Sequence, residues 1–240
     1  MEIIGLEEID STNSYAKSGI DRFADRTVIY AKKQTSGRGR LSRRWIDLGE
    51  NNLFMTIVLK PSGIFNEVYS NITQYLSVCL CRVLEVYGLE AQIKWPNDVL
   101  INNKKIAGIL SETVMHCSDL KGLVVGIGVN LNANQADIDT VPDRIATALN
   151  LETGCEINLT DFMSKLLEEF FKNYDEFLKE GFEYIKQDYL DRNCFLNKEL
   201  NIQVFNRIEN GLAKDVDSNG GLVLLKGDSK ETVLTIGDIL

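Results

Sequence analysis

The 240-residue sequence predicts an α+β protein in two parts, a sheet-and-helix domain over residues 1–192 and a small all-β domain over residues 193–240. Three observations predict it. Apolar strand-like runs and helical stretches alternate through the first part. One segment, Glu67 to Tyr87, keeps its apolar residues at helical spacing throughout. From about Asn193 the texture changes to short strands parted by turns. The composition, 44% hydrophobic and 25% charged, is that of a soluble globular chain. No apolar run approaches the roughly 18 residues of a spanning helix.

The elements follow in order. "MEIIGLEEID" is short and acidic and is no secretory signal. "IDSTNSYAKSGI" reads as a helix start, with Ser11, Thr12 and Asn13 all candidate caps. "TVIYAKKQ" is a strand running into a basic loop, and "NLFMTIVLK" is a second strand, β-branched and ended by Pro61. In the helix after it, Val68, Ile72, Tyr75, Leu76, Cys79, Val83 and Val86 share one face. "AQIKW" and "DVLI" are short strands, "NNKK" a turn, and "IAGILSETVM" a longer strand. "CSDLKG" reads as the next turn and "LVVGIGVNL" as another apolar strand. A short helix after Pro142 and a long one from about Thr160 to Leu190 complete the first part. "ELNIQVF", "GLAKDVD", "LVLLKG" and "ETVLTI" then supply the strands of a small barrel or sandwich.

Charge and cysteines narrow the function. The net charge is −9, from 26 Lys and Arg against 35 Asp and Glu. That total disfavours general nucleic-acid or membrane affinity, which wants a broad basic face. Five cysteines without a CxxC pair argue for free thiols in a reducing compartment, with cytoplasm the default. His116 is the only histidine, so a Ser-His-Asp triad or a histidine metal site is not expected. No GxxxxGK[ST] phosphate loop occurs.

Against that background "KKQTSGRGRLSRRW" stands out, with six basic residues and no acidic one. Gly37 and Gly39 flank Arg38, so backbone amides can turn toward an anion while guanidiniums close around it. Arginine's planar fork suits carboxylate and phosphate oxygens, and Trp45 offers a stacking face. Local positive charge in an acidic chain suggests a small anionic ligand. The plainer alternative is a solvated loop anchored by Trp45. In "KWPNDVLINNKKIAGIL", Pro96 fixes a turned or extended backbone at Trp95. Asn97 and Asp98 then sit at a strand edge, and Lys105 precedes Gly108, which admits close approach to the strand. In "VVGIGVNLN", glycines inside an apolar strand mark a close contact, with a ligand or with packing, before Asn130.

Together "STN", "GRGRLSRRW", "KWPNDVLINNKKIAGIL" and "GIGVNLN" resemble, in that order, the signature segments of the biotin–protein ligases, and "GLAKDVDSNGGLVL" resembles that family's small carboxy-terminal domain. The resemblance implies a mixed β-sheet catalytic domain with helices packed on one face, the class II synthetase-like biotin ligase fold, plus an SH3-like β-barrel. It implies two steps: MgATP and biotin give biotinyl-5′-AMP and pyrophosphate, and a lysine of a biotin carboxyl carrier domain then takes the biotinyl group. By resemblance, Ser11, Thr12, Asn13, Gln34, Gly37 and Gly39 hold biotin, with Arg38, Arg40, Lys105 and Gly108. Arg40, Arg43, Trp45, Asn97, Lys105 and Asn130 hold the nucleotide, and Arg38, Arg40 and Lys105 are the catalytic group. No metal is expected to be fixed by the protein itself; Mg2+ travels with ATP, and Asp98 is the residue placed to help. Such chemistry needs cations, because carboxylate and α-phosphate repel in a poorly solvated site.

Two residues depart from the family pattern: Leu41 and Ser42 stand where arginine and a second glycine are common. With "STN" beginning at Ser11, the expectation is a short form without an amino-terminal DNA-binding domain and without nucleic acid as partner. A homodimer through an exposed strand edge is a further expectation. The rival readings are a lipoate–protein ligase, which shares the fold and acyl-adenylate chemistry, and a non-enzymatic nucleic-acid contact, whose signature is a steep loss of affinity with salt.

Overall fold

The computed structural model describes residues 1–40, 43–49, 51–61, 67–117, 119–141 and 146–240. Leu41, Ser42 and Pro142 lie outside them. A seven-stranded sheet has the order β1-β2-β3-β7-β6-β5-β4, with β1 Ile3–Ile9, β2 Val28–Gln34, β3 Leu53–Leu59, β4 Ala91–Lys94, β5 Asp98–Ile101, β6 Lys104–His116 and β7 Asp119–Val129. β1 and β2 are parallel, joined through α1 (Thr12–Ser18), and every other neighbouring pair is antiparallel, so the sheet is mixed as expected.

β3 lies at the centre of the packing and is buried at every residue. Alternate side chains reach opposite faces of a strand. Met55, Ile57 and Leu59 join the large core under α2 (Ile72–Val86) and α5 (Leu159–Lys172). Val58 joins a smaller cluster with Ala16 and Ile20 beneath α1, on the other face. Tyr75 of α2 donates its hydroxyl to the carbonyl of Phe170 at 2.6 Å and stacks on Phe177 at 4.3 Å, which fixes the helical layer.

Several local expectations change. The amino-terminal segment, not singled out as a strand, forms the outer strand β1, stitched to β2 by the ion pairs Glu7–Lys32 and Glu8–Lys33. Most of "CSDLKG" belongs to β7 rather than to a turn, since β7 begins at Asp119. The first turn after Glu67 is a 3-10 turn, Glu67–Asn71. Short helices α3 (Gln135–Ile138) and α4 (Leu149–Thr153) follow β7. The long helix is three: α5, α6 (Tyr174–Glu180) and α7 (Glu183–Asp191). Asn173 ends α5, and Gly181 ends α6 at φ +67°, a left-handed backbone that glycine adopts without strain.

The carboxy-terminal strands β8 (Glu199–Val204), β9 (Arg207–Val216), β10 (Leu222–Leu225), β11 (Glu231–Leu234) and β12 (Asp238–Ile239) make an antiparallel sheet in the order β11-β10-β9-β8-β12. No β11–β12 pairing closes it into a barrel among the described residues. Its apolar face continues the large core, for Ile202, Val216, Leu222 and Leu234 share a cluster with Trp95 and Tyr189. The Gly220 carbonyl accepts from Trp95 Nε1 at 3.2 Å and from Gln74 Nε2 at 2.9 Å. Among the described residues no helix is long and apolar enough to cross a membrane.

Candidate functional site

The site lies over the middle of the sheet, on the α1 face, where β6 and β7 carry glycines opposite one another. Gly108 pairs with Gly128 and Leu110 with Gly126. A Cβ on Gly126 would lie 2.2 Å from Asn13 Oδ1, and one on Gly128 would lie 2.4 Å from Trp45 Cε2. A Cβ on Gly108 would lie 2.9 Å from Trp45 Cζ3. The strand glycines therefore form a trough into which Asn13 and Trp45 settle, the close approach their positions suggested.

At one end of the trough, the start of α1 builds a polar pocket. Ser11 is the N-cap, its Oγ accepting from Ser14 N–H at a long 3.5 Å. Gln34, the last residue of β2, accepts the Thr12 backbone N–H on Oε1 at 2.8 Å. Because a backbone N–H only donates, this contact orients the Gln34 amide and leaves Nε2 as its donor. Asn13 spends its polar atoms inside the protein. Its amino group donates to the Leu110 carbonyl at 3.2 Å and to Glu112 Oε2 at 3.0 Å, while its Oδ1 accepts from Thr56 at 2.7 Å. Ser11, Thr12, Gln34, Arg38 and Trp45 line a cavity of about 30 Å³. That volume holds a water molecule or two, with Trp45 a half-buried side chain in its wall.

The basic loop folds back on itself as a small hairpin. Trp45 N–H donates to the Gly37 carbonyl at 3.0 Å, and Gly39 N–H to the Arg43 carbonyl at 2.8 Å. Gly37 is needed here because a Cβ would press the Trp45 carbonyl at 2.8 Å. The arginines are pinned by carboxylates rather than left to repel one another. Arg38 pairs with Glu112 at 3.2 Å; Arg40 and Arg43 both reach Asp238 of β12, at 3.3 and 2.8 Å. Arg40 also donates to Asn97 Oδ1 at 3.0 Å, while Asn97 Nδ2 donates to the Ile109 carbonyl. Lys105 Nζ sits 2.6 Å from Asp98 and 5.6 Å from the Trp45 ring centroid. Asn97 and Asp98 thus order the basic groups directly.

Beyond Trp45 a second cavity of about 150 Å³ is lined by Ile46, Leu48, Lys105, Asn130 and Ala146. The Asn130 amide donates to the Thr147 carbonyl at 3.0 Å, which ties the end of β7 to the segment before α4. The structure therefore brings sequence-predicted residues around three adjoining cavities that share Arg38, Trp45 and Lys105 in their walls: a polar pocket, a cluster of arginines with Lys105, and an apolar slot under Trp45.

Electrostatics follow from burial and pairing. Burial lowers the pKa of the Arg40 guanidinium, and Asp238 and Asp98 oppose that effect. Burial alone would raise the Glu112 carboxyl, but hydrogen bonds from Lys17 and Asn13, with the charges of Lys17 and Arg38, hold it below the usual range. Burial pushes the Cys79 thiol up to about 12, which leaves it inert as a nucleophile. No group of three or more His, Cys, Asp or Glu gathers among the described residues.

Three participants were not singled out from sequence: Thr56, Glu112 and Asp238. Thr56 is the one polar side chain in the fully buried strand "LFMTIVL", which is a signal of sorts. Glu112 lies two residues beyond "IAGIL", in a strand stretch where nothing local marks it. Nothing local marks Asp238, whose partners stand at the other end of the chain.

A family model for the biotin/lipoate A/B protein ligase family matches residues 5–130, more than half of the sequence, and the chain belongs to that family. The bifunctional ligase/repressor BirA of Bacillus spizizenii is 32% identical over 199 residues, covering 82% of this chain and 61% of that protein. The chain thus spans less than two thirds of that relative's length. A biotin–[acetyl-CoA-carboxylase] ligase of Paracoccus denitrificans is 28% identical over 242 residues and 98% of each chain. Among solved structures, the biotin protein ligase of Aquifex aeolicus in complex with biotin and ATP superposes with a TM-score of 0.85 at 26% identity, over 100% of this chain and 97% of that one.

Proposed function

We propose that the protein is a biotin–protein ligase, joining biotin to ATP as biotinyl-5′-AMP and passing the biotinyl group to a lysine of a carrier domain. The observation that carries this reading is the adjacency of three cavities, a donor-and-acceptor pocket beside Arg38, Arg40 and Lys105 and these beside the slot beneath Trp45. Ser11, Thr12 and Gln34 take the ureido head, with Asn13 as their strut. Gly37 and Gly39 let the hairpin lie close over the valeryl tail, and Gly108 keeps the floor flat. Arg40, Arg43, Asn97 and Asn130 border the nucleotide, with Trp45 as its cover.

In the first step a biotin carboxylate oxygen attacks the α-phosphorus, the bond to the bridging oxygen breaks, and pyrophosphate leaves. Arg38, Arg40 and Lys105 screen the approach of two anions, and Lys105 stabilises the charge that builds on the α-phosphate. In the second step the carrier lysine amine attacks the acyl carbon, AMP leaves, and the amine proton is lost to solvent. No enzyme nucleophile is required; positioning and charge stabilisation supply the catalysis. Mg2+ enters as the counter-ion of the triphosphate. Asp98, the carboxylate beside Lys105, fits the single oxygen donor that such a phosphate-bound ion commonly takes from protein.

The reading extends to the rest of the molecule. The division at 192/193 separates the catalytic sheet from a carboxy-terminal unit that reaches the site through Asp238. The outer strand β1 is the edge through which two copies would pair. With a net charge of −9, nucleic acid is not among the partners, and a cytoplasmic carrier protein is. Lipoate is the second reading, because the family includes both ligases. It is disfavoured because a dithiolane ring offers no partner to the polar groups of Thr12 and Gln34.

Pyrophosphate release from purified protein with MgATP, biotin against lipoate, tests the reading. Release with biotin and a product mass of biotinyl-AMP is expected. Release with lipoate alone would move the protein to the other branch of the family.

A further inference from the structure

Beneath the polar pocket runs a chain of hydrogen bonds whose proton directions are fixed from its inner end. Leu110 offers a carbonyl and Glu112 a carboxylate, both acceptors, so the Asn13 amino group faces them and Asn13 Oδ1 faces Thr56. Thr56 is fully buried and has one proton. Oδ1 at 2.7 Å can only accept it. The contact of 2.8 Å between Thr56 Oγ1 and Thr12 Oγ1 then needs the proton of Thr12, because Thr56 has none left. Gln34 Oε1 lies farther from Thr12 Oγ1, at 3.2 Å, and is already served by the Thr12 backbone N–H at 2.8 Å.

We propose that Thr56, which is fully buried behind the pocket lining, is a positioning residue that fixes the polarity of the pocket: by drawing the Thr12 proton downward it makes Thr12 Oγ1 present lone pairs only. The pocket then offers an acceptor at Thr12 beside donors at Gln34 Nε2 and the Ser11 hydroxyl. That order complements a cyclic urea, a ring N–H next to a carbonyl oxygen. Any ring that puts an acceptor opposite Thr12 faces lone pair against lone pair in a buried site, where an unmade hydrogen bond is costly. This assignment rests on the biotin ligase reading and deepens it.

The test compares biotin with its cyclic carbamate analogue, in which the ring N–H facing Thr12 is replaced by ring oxygen. Pyrophosphate release is measured for wild type, Thr56→Val and Thr56→Ser. Wild type should prefer biotin by about 100-fold or more in kcat/KM, as sites built to bond a specific polar group do. In Thr56→Val the Thr12 proton is free to turn toward the ligand. Its KM for biotin should rise about tenfold with kcat within about twofold, and its preference over the carbamate should fall at least about tenfold. Thr56→Ser keeps the hydroxyl and should restore wild-type discrimination. An unchanged ratio in Thr56→Val, or equal losses for both ligands, overturns the relay. Should Thr56→Val not fold, Thr12→Val serves: removing the acceptor should bring the ratio near one, and a retained preference overturns the proposal. Wild type silent with biotin would instead overturn the ligase reading on which the relay stands.

Discussion

Gly126 and Gly128 lie two residues apart on one face of β7, yet alanine should cost far more at the first than at the second. A methyl on Gly126 would stand 2.2 Å from Asn13 Oδ1. An ordinary carbon–oxygen contact is about 3.3 Å, so Asn13 must retreat by roughly 1 Å. It cannot do so and keep its bonds to Thr56, Leu110 and Glu112. Three hydrogen bonds at about 1 kcal/mol each, with about 1–2 kcal/mol for overpacking, give a loss of about 4–5 kcal/mol. In a chain of this length each kcal/mol lowers Tm by about 2–4 °C, so Gly126→Ala should melt about 8–20 °C below wild type. A methyl on Gly128 would meet the Trp45 ring at 2.4 Å, but that ring is half-buried and its Nε1 is bonded to nothing. It can swing away for about 1 kcal/mol, which leaves Gly128→Ala within about 4 °C of wild type. Thermal unfolding followed by circular dichroism measures both. Equal shifts, or a larger one for Gly128→Ala, would refute the role of Asn13 as a rigid strut.

The other expectations concern the charged groups. Lys105→Met should lower the rate of pyrophosphate release by about 10²–10³-fold with little change in Tm, and a rate within tenfold of wild type would remove Lys105 from the charge-stabilising group. Asp238→Asn should release Arg40 and Arg43, so that trypsin cuts after Arg43 or Arg44 several-fold faster; an unchanged cleavage rate would show that β12 does not hold the hairpin. Glu112 has a depressed folded pKa, so its contribution to stability is complete above the unfolded value of about 4.3 and fades as pH falls through the folded value. Glu112→Gln should therefore flatten the fall of Tm as pH drops below the ordinary carboxylate value; parallel curves for variant and wild type would contradict that assignment.

What was legible in the sequence was whatever lay contiguous along it. "NLFMTIVLK", the helical face from Ile72 to Val86, and the three stretches around Arg38, Lys105 and Gly128 each carry their signal within a few residues. The breaks at Asn173 and Gly181 were written in turn-forming residues, but an apolar period running through both masked them. β1 hid because an edge strand carries charge on its outer positions, here Glu7 and Glu8 answering Lys32 and Lys33. Thr56 passed as one more β-branched strand residue; only its neighbours in space reveal that its hydroxyl has work to do. Asp238 required the carboxy-terminal strands to be folded back across the site before its partners could be seen.

The Gly220 carbonyl that accepts from both Trp95 and Gln74 has a consequence for how the molecule comes apart. Lifting the carboxy-terminal sheet away would trade these two hydrogen bonds for bonds to water and uncover the common cluster of Trp95, Leu222 and Leu234. The cost of separation then lies in the apolar area exposed, at about 25 cal/mol per Å². Heating should thus melt both sheets in a single calorimetric transition, with no intermediate in which one stands without the other. Asp238 is synthesised well after Arg40 and Arg43, so the basic hairpin waits for β12 to fold back before it can be secured.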